Sequence, residues 1–102
     1  MMEPNNDLQR WFDFLDEIGS DPQLNVWHIS LLIAIARLAS KQNEKWLIRV
    51  SRNKLMALSH IKTITSFHKY FKELQLFGYI KYTPSYHPDY RSTVEILRKA
   101  KD

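Results

Sequence analysis

Between Thr63 and Leu74 the chain sorts two kinds of residue onto opposite sides of a helix-length segment. Phe67, Tyr70, Phe71 and Leu74 recur at i, i+3, i+4 and i+7, the spacing of one apolar helix face. The other side holds Ile64, Thr65, His68, Lys69 and Lys72, with Ser66 at its edge. Hydroxyls such as those of Thr65 and Ser66 bond phosphate oxygens or base edges. His68 and Lys69 can donate to guanine acceptors or to phosphate, and Ile64 can meet a thymine methyl. This is a set for recognition. It would also suit plain solvation, so its meaning depends on the elements around it.

Bond-making chemistry finds little to work with. The four histidines (His28, His60, His68, His87) show no metal-ligand spacing. The chain has no cysteine, which excludes disulfides and thiol catalysis, and only two glycines, too few for a Gly-rich phosphate loop. Asp13, Asp16 and Glu17 fall on the solvated face of a helical segment. No enzyme activity, cofactor or metal is expected.

The elements that must position the polar face read as follows. Ser51 stands at an N-cap position before RNKLMAL, with Leu55, Leu58 and Ile61 facing inward. The third residue after Ser51 is Lys54, so a capping box is incomplete. His60 falls at a turn, where histidine tolerates positive φ. Thr63 caps the next helix, and Gly78 closes it. YIKYTPS and STVEIL then alternate as two strands joined by YHPDYR, with Pro88 and Asp89 marking the turn. His87, Tyr90 and Arg91 sit near the tip of that hairpin. Arg91 is placed for a phosphate or minor-groove contact.

Upstream, Leu8, Trp11, Phe12, Leu15 and Ile18 form one helical stripe over residues 7–18, with Asn5 or Asn6 as cap. Phe14 points off that stripe among acids and is expected to be exposed, available to a partner. Asn25 caps a helix over residues 25–42. Trp27, Leu31, Leu32, Ile35, Leu38 and Ala39 make its apolar face. Ile29, Ile33 and Ala36 widen that face nearly all round, which predicts a central, buried helix. WLIRV at 46–50 reads as a short strand.

Composition sets the frame. A chain of 102 residues with 44% hydrophobic and 13% aromatic content is one folded domain. It divides into an N-terminal arm (1–24), a core (25–97) and a basic tail (98–102). No signal peptide is visible, and the longest apolar run, ISLLIAIARLA, is too short to span a bilayer. A soluble cytoplasmic protein is the expectation. Residues 1–24 hold six acids against one base, a net −5, while residues 25–102 carry +9. A basic body of this size suits a polyanion, and the acidic arm does not.

The stretch Ser51–Leu97 resembles winged helix-turn-helix regulators of the MarR and GntR type. It is closer still to the small winged-helix and replication-initiator-like domains of bacterial mobile elements. The carrying features are the Leu55/Leu58/Ile61 spacing, the Thr63 cap and the segment KELQLFGYI, which supplies Leu74, Gly78, Tyr79 and Ile80 in the family's order. The resemblance implies DNA contacts at Thr63, Ile64, Thr65, Ser66 and His68, and a phosphate contact at Arg52. Two features depart from the family: an extra Lys62 before Thr63, and Ile64 where a basic or polar residue is common.

The sequence therefore predicts a mainly α protein with a small β-hairpin, a winged helix-turn-helix with an extra N-terminal helix. Its expected partner is double-stranded DNA, met by Arg52, Lys62, Thr63, Ile64, Thr65, Ser66, His68, Lys69, Lys72, His87 and Arg91. A homodimer through Leu8, Trp11, Phe12, Phe14 and Leu15 of the N-terminal helix is expected on a two-fold site. The alternative is a protein-docking module using the acidic arm with Trp11, Phe12 and Phe14.

Overall fold

A computed structural model of the chain describes residues 6–44, 47–88 and 91–97, with side chains from Gln9 onward. The expected cap Asn5, the strand residue Trp46, the turn residues Asp89 and Tyr90, the side chain of Leu8 and the basic tail lie outside the described residues. The chain runs α1 (Asn6–Ser20), α2 (Val26–Gln42), β1 (Ile48–Arg49), α3 (Arg52–Ser59), α4 (Ile64–Leu76), β2 (Ile80–Thr83) and β3 (Thr93–Ile96). It is mainly helical with one small antiparallel sheet. No helix among the described residues is long and apolar enough to cross a membrane.

α2 forms the centre because its Leu31, Leu32, Ala34, Ile35, Leu38 and Ala39 are all buried. α3 and α4 pack across it, as does β1. At its start the Asn25 side chain accepts the N–H groups of Trp27 and His28, at 2.9 and 3.1 Å. His28 completes the box, its Nδ1 accepting the Asn25 N–H at 2.9 Å. Asn43 ends α2 in the left-handed region, φ 53°. Trp27 and Ile33 are exposed, so α2 keeps an open side that the all-round apolar pattern did not predict.

The strands form a three-stranded sheet in the order β1-β3-β2. Sequence had shown the hairpin; the addition of β1 to β3 is new. The register sets Ile48 and Tyr82 on either side of Val94, and Ile80 opposite Ile96. Period-two alternation then turns all five to one face, toward the helices. Thr83, Thr93 and Arg49 line the other.

α1 corrects one expectation. Phe14 is buried (9% exposed), packing with Ile18 and the half-buried Trp11. Phe12 and Leu15, assigned inward, are 52% and 42% exposed. Trp11, Phe14 and Ile18 stand at i, i+3, i+7, as valid a helical stripe as the predicted one. The helix carries more apolar residues than one face can bury. Trp11 and Phe14 meet edge to face at 5.7 Å, a favoured aromatic geometry.

Beyond α1, the Tyr79 hydroxyl donates to Asp21 Oδ2 at 2.5 Å and ties the arm to the core. Burial of Tyr79, then its hydrogen bond to Asp21 and the charges of Asp21 and Glu17, hold its phenol well above its ordinary value. The raised group stays protonated in the folded chain after the unfolded chain has ionised. Its stabilisation is therefore complete below the ordinary tyrosine pKa of about 10 and is lost as pH rises beyond it. Melting temperature should fall with pH above about 10, and Tyr79→Phe should flatten that fall. Equal alkaline slopes in the two proteins would rule out this linkage.

Candidate nucleic-acid interface

Local rules build the α3–α4 unit. Ser51 adopts extended backbone and its Oγ accepts the Lys54 N–H at 3.2 Å. His60 closes α3 in the left-handed region, φ 64°, as its position at the turn predicted. Ser30, from α2, clamps that turn by donating its hydroxyl to the Ser59 carbonyl at 2.5 Å. Thr63 caps α4, its Oγ1 accepting the Ser66 N–H at 3.2 Å. At the far end Gly78, φ 83°, donates to the Gln75 carbonyl, and Tyr79 N–H reaches the Leu74 carbonyl. This pair of bonds is the Schellman closure, which needs the positive φ that glycine supplies without strain.

α4 buries Phe67, Phe71 and Leu74 and half-buries Tyr70. Ile64 (49% exposed), Thr65, His68, Lys69 and Lys72 share the opposite, solvent-facing side, with Ser66 half-buried at its edge. Lys62 and Thr63 are exposed just before it, and Arg52 is exposed in the first turn of α3. Within α4 the Lys69 ammonium lies 5.5 Å from the Tyr70 ring centroid.

Electrostatics favour an anion on this side. Residues 51–76 hold five cations (Arg52, Lys54, Lys62, Lys69, Lys72) and a single acid, Glu73. Glu73 is engaged: its Oε1 lies 2.7 Å from Nε2 of the buried His28. The acid of α4 thus faces the core while its lysines face water.

Three of the predicted residues, Arg52, His68 and Lys72, come together at a cleft between α3, α4 and the sheet. Ile64, Thr65 and Lys69 share the α4 face but do not line that cleft. His87 and Arg91 are exposed in the loop joining β2 and β3 and do not line the cleft, although Ser92 of that loop does. In that loop Ser85 Oγ accepts the His87 N–H at 3.3 Å, and Ser92 Oγ accepts the Ser85 N–H at 3.1 Å.

Two features escaped the sequence reading. The first is His28, whose place three residues after the Asn25 cap is where a capping box seats Glu or Gln; that spacing was the available signal. The second is the cleft floor, which includes Tyr82 from β2 and depends on nonlocal packing. Comparison with known proteins found no match to a family model, to a curated protein or to a solved structure.

Proposed function

We propose that this chain is a winged helix-turn-helix protein that binds double-stranded DNA. On this reading α3 and α4 are the helix-turn-helix and α4 enters the major groove. The β2–β3 loop is the wing and brings Arg91 and His87 to the backbone beside it. One observation carries the reading: the solvent side of α4 gathers hydroxyls and cations, and its lone acid is bonded to His28. The element order and the β1-β3-β2 sheet support the winged-helix assignment. A 13-residue helix is about 20 Å long, and the major groove is about 12 Å wide. The role is that of a transcriptional regulator or an accessory factor of a mobile element.

A homodimer would use Phe12 and Leu15, the apolar pair that α1 leaves exposed. The same pair, set among Asp13 and Asp16, favours the second reading, a protein-docking module. One experiment separates the two. In amide spectra of the labelled protein, a short duplex should shift residues 62–72 most, then Arg52 and the β2–β3 loop. Shifts confined to α1, or none, would remove the DNA reading.

A further inference from the structure

We infer that the cleft between α3, α4 and β2 binds a nucleoside monophosphate, a flat ring joined to a small dianion. Its volume is about 520 Å³, within the range of roughly 300–1,000 Å³ typical of small-molecule sites. The floor is aromatic. Phe67 and Phe71 stack at 5.1 Å and 17°, and Tyr82 meets Phe71 edge-on at 5.1 Å. Tyr82 is half-buried, which leaves part of its ring for a ligand to cover.

The polar lining divides cleanly. Ser51, Gln75 and Ser92 already bond to backbone groups. Arg52, His68 and Lys72 have no hydrogen-bond or ion-pair partner among the described residues. Among the described residues no acid lines the cleft. Three free donors with no opposing carboxylate suit a phosphate dianion. An aromatic floor suits a base, since stacking on aromatic rings is indifferent to base identity. A duplex backbone explains the cations alone, because its phosphates bring no ring to cover the open part of Tyr82.

Binding in the cleft stands independently of the DNA reading. Only its consequence rests on that reading: a ligand on Arg52, His68 and Lys72 would exclude a duplex from the same residues. The test is an amide-spectrum titration of the full chain with adenosine 5′-monophosphate, without duplex. Binding is expected with Kd below about 1 mM, with shifts at Arg52, His68, Lys72 and Tyr82. Adenosine and inorganic phosphate, each supplying half the ligand, should bind roughly tenfold more weakly. Lys72→Ala, at an exposed position, should weaken binding about fivefold. A 5′-phosphorylated single-stranded tetranucleotide, run alongside, distinguishes a free nucleotide from a strand end at the same site. Absent shifts, shifts away from the cleft, or equal binding of inorganic phosphate would overturn the assignment. The duplex titration tests the DNA reading separately, so either can fail alone.

Discussion

Replacing Lys62, Lys69 and Lys72 together by alanine should lower duplex affinity by on the order of 100- to 1,000-fold near 0.1 M salt. All three side chains are exposed, and none is part of a helix cap, so the fold should survive. A loss of about 1–1.4 kcal/mol for each of the three exposed lysines gives the stated range. Each neutralised phosphate also releases counterions, so log affinity against log salt should flatten by about 0.9 per lost contact, near 2.7 in all. Circular dichroism should be unchanged. Replacing Arg10, Arg37 and Lys41 by alanine removes the same net charge from α1 and α2, and should leave the salt slope nearly intact. Equal losses in the two triple variants would mean that duplex senses overall charge, and that α4 is not the contact surface.

His28→Ala should destabilise the fold by about 3–4 kcal/mol. His28 is 3% exposed and joins the start of α2 to α4. Its Nδ1 accepts the Asn25 N–H, so the hydrogen on Nε2 is the one donated to Glu73. The ring also meets Tyr70 at 5.2 Å and Phe77 at 5.5 Å, both edge to face. Alanine would leave a ring-sized void, remove the hydrogen bond to the half-buried Glu73 and undo half of the α2 cap. Against a total stability of about 5–15 kcal/mol this is a large fraction. The melting temperature should drop by roughly 15–25 °C. His28→Gln keeps a side chain able to complete the capping box, and should cost distinctly less. A loss under about 1 kcal/mol for His28→Ala would contradict this joining role. The pair also bears on function, because it holds the one acid of residues 51–76 away from the cationic face.

What was legible in the chain was local. The Ser51 and Thr63 caps, the positive φ at His60 and the glycine closure at Gly78 each depend on a few consecutive residues. The division of α4 into Phe67/Phe71/Leu74 and His68/Lys69/Lys72 follows from a single period. Sequence could not rank two equally regular stripes on α1. The choice of Phe14 over Phe12 and Leu15 came from what the rest of the fold presents to that helix. The contact of β1 with β3 and the His28–Glu73 bond, 45 residues apart in sequence, are nonlocal and leave no periodic trace. The same is true of the cleft, where Arg52, Lys72 and Tyr82 come from three elements. The candidate DNA face was therefore readable as a list of α4 residues. Arg52 was named beside them from the family resemblance, but the cleft that gathers Arg52, His68 and Lys72, and the bond that turns Glu73 to His28, were not readable.

The most direct test of the DNA reading is fluorescence anisotropy of a labelled random duplex titrated with the full chain at several salt concentrations. Binding should be tight at low salt and fall steeply as salt rises. With about five cations meeting phosphate, the slope of log affinity against log salt should be near −4.5. No binding at low salt, or binding indifferent to salt, would contradict the account and leave the exposed Phe12 and Leu15 of α1 as the surface to pursue.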